Sequence, residues 1–82
     1  MYLTASCPFC RSAEQLLAEK GVRDIELVRV DLEPARRAEM RAKSGRHTVP
    51  QIWIGDRHVG GCDDLYVLER EGALDPLLQE KP

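Results

Sequence analysis

An α/β fold is predicted for this chain: a four-stranded mixed sheet in the order β-α-β-α-β-β-α, flanked by helices and followed by a short C-terminal helix. Three observations carry the prediction. Apolar residues recur at helical spacing over residues 8–20, with a proline at the start and a glycine just past the end. A β-branched run at 26–31 is long enough for a strand and too short for a packed helix. Two short segments, 51–54 and 57–60, flank Gly55-Asp56, a two-residue turn of the kind that closes a tight hairpin.

In order along the chain, residues 1–4 form an apolar stretch that runs into the polar Ala5-Ser6 and reads as the first strand. The first helix extends from Pro8 to about Lys20 and turns Phe9, Ala13, Leu16 and Leu17 toward the core, with Gly21 as its C-terminal cap. Leu27, Val28 and Val30 mark the second strand, which a right-handed crossover through the helix sets parallel to the first. Pro34 opens a second helix that Gly45 stops, its apolar positions being Ala35, Ala38 and Met40. The two hairpin strands follow. Asp63 caps a third helix with Leu65 and Leu68 inward, and Asp75-Pro76 opens the short last helix, which carries Leu77 and Leu78.

At 82 residues the chain makes one domain, 1–82, with a single core. Twelve basic against 14 acidic side chains leave a formal net charge of -2, so no face is basic enough for nucleic acid. No apolar run reaches the length of a membrane span, and the first residues lack the regions of a signal peptide; a cytoplasmic, monomeric protein is expected. Three cysteines, two of them only three positions apart, do not suit a secreted disulfide scaffold. They read as working thiols.

Cys7-Pro8-Phe9-Cys10 places a dithiol at a helix N-terminus. There, backbone N–H groups without intrahelical partners and the positive end of the helix dipole favour a thiolate, which makes Cys7 the nucleophile. One turn of helix brings Cys10 back within bonding reach, so the pair can cycle between dithiol and disulfide. Cys7 is expected to face solvent, and Cys10, one turn inside, to be disfavoured as a thiolate by burial. A dithiol after the first strand of this pattern reads as a thioredoxin-like redox site.

Two further segments bear on the same chemistry. The proline in Thr48-Val49-Pro50, just before a strand, is explained by a turn, with a cis bond as one reading and plain strand entry as the other. On the first reading the Val49 backbone stays unpaired and accepts an extended, thiol-bearing peptide as an added strand. In Gly60-Gly61-Cys62-Asp63-Asp64 the glycines permit close approach of a ligand, and the helix start that follows offers N–H groups to a carboxylate. Asp63 or Asp64 can accept from an ammonium, so the segment suits both charges of an amino-acid head group.

Together these three segments resemble the glutaredoxin family, its dithiol class in particular, over essentially the whole chain. Cys7-Pro8-Phe9-Cys10 is similar to the family's active-site tetrapeptide, with Phe9 where Tyr is usual. Arg46-His47-Thr48-Val49-Pro50-Gln51-Ile52 and Gly60-Gly61-Cys62-Asp63-Asp64-Leu65 look like its cis-proline and glutathione-binding segments, and Leu74-Asp75-Pro76-Leu77-Leu78 is close to bacterial members. The resemblance implies a glutathione-dependent thiol-disulfide oxidoreductase with glutathione as reductant and no metal, acting on glutathionylated or disulfide-bonded proteins. Cys7 would form the mixed disulfide and Cys10 resolve protein disulfides. Val49 would pair with the cysteinyl backbone of glutathione, Asp63 and Asp64 would bind its γ-glutamyl end, and Arg37 would meet its glycine carboxylate. Phe9, Thr48, Pro50, Gly61 and Cys62 complete the implied binding site. Thr4 stands where many members have Lys, which removes one glutathione contact and one source of thiolate stabilisation.

Plainer readings stand beside these. The dithiol with His47, His58 or Cys62 could form a zinc site, and the family resemblance admits an iron-sulfur carrier or a redoxin reduced by a flavoprotein. Cys62 reads first as a small buried side chain, Trp53 as packing, Arg11 as a solvated helix residue, and His47 and His58 as surface loop and strand positions.

Overall fold

A computed structural model describes residues 1–79; the last three residues of the expected 1–82 domain lie outside the described residues. Its elements follow the predicted order: β1 (Tyr2–Leu3), α1 (Pro8–Glu19), β2 (Val28–Arg29), α2 (Pro34–Ser44), β3 (Ile52–Ile54), β4 (Arg57–Gly60), α3 (Cys62–Arg70) and α4 (Leu74–Gln79). The strands are shorter than expected. β1 and β2 pair in parallel, Tyr2 against Val28 and Leu3 against Arg29, while β3 and β4 pair antiparallel, with an irregularity between Ile52 and Trp53. What joins the two ladders is a single antiparallel bridge, in which Tyr2 N–H donates to Gln51 C=O at 2.9 Å and Gln51 N–H to Tyr2 C=O at 3.2 Å. The expected four-stranded sheet is therefore two short ladders hinged at one residue pair. Leu27, expected within β2, stands before it and is exposed.

Successive strand residues point to opposite faces, and β1 shows this with two residues. Tyr2 packs with Val28, Val30 and Met40 of α2 on one side. Leu3 packs on the other, with Cys7 and Cys10 at the start of α1. The larger core lies on the α1 and α3 face, where Ala13, Leu16 and Leu17 meet Ile52, Cys62, Leu65 and Leu74. Each large apolar side chain so buried contributes about 1.5–3 kcal/mol relative to exposure.

Helix ends are set by short-range chemistry. Pro34 sits in the first turn of α2, and Gly45 closes that helix in the left-handed region at φ 71°, its N–H donating to Arg41 C=O at 2.9 Å. Two sequence expectations fail here. Phe9, placed on the core face of α1, is 63% exposed, because at the second helical position it points off the helix end beside the dithiol. Ala35 and Ala38 are exposed as well, so Met40 is the buried residue of α2. At the opposite end, Lys20 bridges three helices, its Nζ lying 2.7 Å from Glu69 on α3 and 3.1 Å from Asp75 on α4.

A dithiol cleft at the start of the first helix

Cys7 is itself the N-cap of α1, with extended backbone angles (φ -124°, ψ 101°) that turn the chain from the Ala5-Ser6 loop into the helix. Its Sγ accepts the N–H of Cys10 at 3.1 Å, filling the role that a Ser or Asp oxygen usually fills at a helix start. A sulfur held there carries negative charge well, because it faces an amide proton and the positive end of the helix. The Cys7 thiol also lies 3.9 Å from Val49 C=O, across from the loop that precedes β3.

Burial separates the two sulfurs less than expected. Cys7 is only 7% exposed against 1% for Cys10, so Cys7 lies just beneath the surface where the sequence suggested solvent exposure. Leu3 and Val49 cover it. The small difference still tells on Cys10: burial, reinforced by hydrogen bonding with Cys7, pushes its thiol up to about 12. Cys10 therefore stays protonated while Cys7 receives the helix-end field.

Beside the dithiol lies a cleft of about 200 Å³ lined by Phe9, Arg46, Thr48, Val49, Pro50, Gly61, Cys62, Asp63 and Asp64. The Val49-Pro50 bond is cis. Val49 C=O faces Cys7, and Val49 N–H has no hydrogen-bond partner among the described residues, which leaves a strand edge open. The opposite wall is the start of α3, whose first N–H groups have no intrahelical acceptor. Gly61, not Asp63, is the N-cap of that helix. The capping carboxylate belongs to Asp64, which accepts Gly61 N–H at 2.9 Å and receives Arg46 Nη1 at 2.9 Å; these two contacts hold its carboxyl below the usual range. Asp63 is exposed and has no part in the cap, because one residue nearer the helix start its side chain points outward. Cys62, buried in the wall, has its thiol pushed up by that burial and by the neighbouring Asp63.

Gly60 makes this wall possible. At φ 115° it occupies a conformation that L side chains rarely adopt, and a Cβ there would sit 2.8 Å from Asp64 Cγ and 3.0 Å from Arg46 Nη1.

Of the residues expected at the site, all but Arg37 gather around the dithiol and its cleft; Arg37, half-buried on α2, is not in the lining. The sequence reading gave no role to Arg46, which supplies the cation of the cleft. Its pairing with Asp64, 18 positions away, leaves no local periodic signal. Gln51 was also passed over, although a polar residue heading an apolar strand is a signal in itself. His58 is half-buried, against the surface position expected, and its Nε2 bonds to Gln51 Oε1 at 2.8 Å. Among the described residues, no three His, Cys, Asp and Glu side chains converge in a way that could hold a metal ion, and no helix is long and apolar enough to cross a membrane.

A larger cavity, about 560 Å³, lies away from the dithiol, against Tyr2, Trp53, Arg36 and Lys43. Several of its polar side chains lie against one another or against its rings. Tyr2 donates to Glu39 at 2.7 Å, Arg36 Nε lies 3.1 Å from the same carboxylate, and Lys43 Nζ sits 5.1 Å from the Trp53 ring centre. The smaller cleft, beside the dithiol and an open strand edge, is the candidate site.

The sequence and the fold resemble those of known proteins. The family model described as Glutaredoxin matches residues 1–59. A glutaredoxin of Pseudomonas aeruginosa is 58% identical over 78 residues, covering 95% of this chain and 92% of its own length. Glutaredoxin 3 of Escherichia coli K12 is 52% identical over 79 residues, with 96% and 94% covered. Among solved structures, a buckwheat glutaredoxin-glutathione complex superimposes with a TM-score of 0.89 at 32% identity, covering 96% of this chain and 74% of that one. The solution structure of a Brucella melitensis glutaredoxin gives 0.83 at 52% identity, with 95% and 84% covered.

Proposed function

The chain belongs to the glutaredoxin family and is a glutathione-dependent thiol-disulfide oxidoreductase, and we propose that Cys7 is its attacking sulfur, Cys10 its resolving sulfur and the adjoining cleft its glutathione site. The observation that carries this reading is the position of Cys7 Sγ, capped by an amide of the helix start and set against the open strand edge of Val49.

On a glutathionylated protein, Cys7 thiolate attacks the glutathione sulfur; the Cys7–glutathione bond forms, the original disulfide breaks, and the protein leaves as a thiolate that takes a proton from solvent. A second glutathione, as its thiolate, then attacks the glutathione sulfur bound to Cys7. Oxidised glutathione departs and Cys7 thiolate is restored, so two electrons pass from two glutathiones to one disulfide. On a protein disulfide, Cys7 attacks first. Cys10 then gives up its proton and attacks Cys7 Sγ, releasing the reduced protein and leaving a Cys7–Cys10 disulfide for glutathione to reduce. Glutathione competes with Cys10 for that mixed disulfide.

In the cleft, the cysteinyl residue of glutathione adds as a strand to Val49, between Thr48 and Pro50. The γ-glutamyl carboxylate meets the N–H groups of Cys62 and Asp63 at the start of α3, and its ammonium meets the free carboxylate of Asp63. Asp64 serves this end indirectly, by fixing Gly61 and Arg46. Arg37 would meet the glycine carboxylate of a tripeptide that extends past Thr48. The exposed Phe9 ring, beside Cys7, offers apolar contact to a protein substrate in the cytoplasm.

A coupled assay with glutathione, glutathione reductase and a small glutathione mixed disulfide tests the proposal. Turnover by the wild type and none by Cys7→Ser is expected; a wild type without turnover overturns the reading.

A further inference from the structure

Gln51 is the buried polar side chain of the described core, 0% exposed at the head of β3, and all of its polar atoms are engaged. Its Nε2 donates to Thr48 C=O at 3.1 Å and to Thr48 Oγ1 at 3.3 Å, reaching back across Val49 and Pro50. Its Oε1 lies 2.8 Å from His58 Nε2 on β4. A carbonyl can only accept, so the amide nitrogen must face Thr48 and Oε1 must face His58. That makes Oε1 an acceptor and places the proton of neutral His58 on Nε2. The imidazole is held in turn by the Trp53 ring, stacked at 4.4 Å between centroids and 30° between planes. Burial lowers the affinity of His58 for a second proton, consistent with a neutral ring in this role.

We infer that Gln51, oriented by His58, is a positioning residue that clamps the Thr48–Val49 backbone in the strand-accepting conformation used by glutathione. The inference rests on the cleft being the glutathione site and adds what holds its strand edge in place. Without the clamp, Thr48 C=O loses its donor and the open edge at Val49 is free to rotate away from Cys7. Loss of the pair to Thr48 is expected to weaken glutathionyl binding by roughly tenfold. Among the described residues no hydrogen bond joins Gln51 to the dithiol, whose Cys7 Sγ is held by the start of α1.

Gln51→Met keeps the length and volume of the side chain and removes every hydrogen bond. KM and kcat are measured on a glutathionylated peptide, alongside the rate of Cys7 alkylation by iodoacetamide in the reduced protein. A rise in KM of roughly tenfold, with a much smaller change in kcat and an unchanged alkylation rate, is the result expected of a clamp on the substrate strand. A KM equal to that of the wild type overturns the inference. So does an alkylation rate that falls in step with kcat/KM, which marks general loosening of the site.

His58→Phe retains a ring to stack on Trp53 and removes only the donor to Gln51. It is expected to raise KM by a smaller factor in the same direction, and if Gln51→Met does not fold, an unchanged KM in His58→Phe overturns the inference by itself. Wild-type turnover on the same peptide separates the two levels. Turnover with an unmoved KM in the variants removes the clamp alone, whereas absence of wild-type turnover removes the glutathione reading and the clamp with it.

Discussion

The two sulfurs of the dithiol differ in their surroundings. Cys7 Sγ accepts Cys10 N–H at 3.1 Å, while Cys10, one turn inside, is pushed up to about 12 by burial, so Cys10 holds its proton at neutral pH. Iodoacetamide at pH 7 is therefore expected to modify Cys7 and leave Cys10 unmodified in the reduced protein, as peptide mass mapping would show. Cys10→Ser should retain reduction of a glutathionylated peptide and lose the intramolecular route for protein disulfides, whereas Cys7→Ser should lose both. An inactive Cys10→Ser on the first substrate would contradict these roles. Gly60 is the other residue on which the site depends. Gly60→Ala must keep φ near 115° and bring a methyl against Asp64 and Arg46, so a cost of about 1–3 kcal/mol from backbone strain alone is expected, read as a lowered denaturation midpoint. A variant as stable as the wild type would show that the loop has another conformation open to it.

At the scale of elements, the start of α3 gives its two acidic residues different surroundings. Asp64 closes the cap through Gly61 and pairs with Arg46; Asp63 is exposed beside the cleft. Asp63→Lys is expected to leave the melting temperature nearly unmoved and to raise KM for the glutathionylated substrate. Asp64→Asn is expected to be less stable by about 1 kcal/mol near pH 7, the usual worth of a helix-start cap. The acid dependence follows from the depressed carboxyl of Asp64: its contribution is complete above the ordinary Asp value of about 3.9 and is lost as pH falls through the lower folded value. The stability gap between wild type and Asp64→Asn should therefore close as denaturation is followed downward from about pH 4. A gap that stays constant would place the cap elsewhere. This division was not legible in the sequence. Adjacent aspartates at a helix start look equivalent until the cap residue is fixed, and it is fixed one position earlier than expected, at Gly61. β4 and α2 were legible to the residue and β3 to within one, because Gly55-Asp56, Pro34 and Gly45 act locally. Phe9 and the two alanines of α2 were misread for the opposite reason, since helical spacing gives a face and tertiary packing decides how much of it is covered.

For the whole molecule, the two short ladders meet at one bridge, Tyr2 to Gln51, and the helices on either face hold them together. The two faces are not equally secured. On the α1 and α3 face seven buried residues interlock, and Lys20 ties α1, α3 and α4 at the far end. On the opposite face α2 buries one side chain, Met40, fully enclosed with Tyr2, Val28 and Val30. The chain runs from the end of α2 through Ser44, whose hydroxyl bonds Met40 C=O at 2.7 Å, directly to Arg46 and Thr48 of the cleft. Met40→Ala thus removes the anchor of a whole helix and leaves a cavity, at an expected cost of about 2–5 kcal/mol. For a domain of this size that is a large share of a total of about 5–15 kcal/mol. Urea denaturation should show a lower midpoint, and below that midpoint the variant should bind glutathione more weakly, because Arg46 and Thr48 are carried by the segment that α2 positions. A loss under about 1 kcal/mol would mean that α2 is held by its ion pairs and not by Met40.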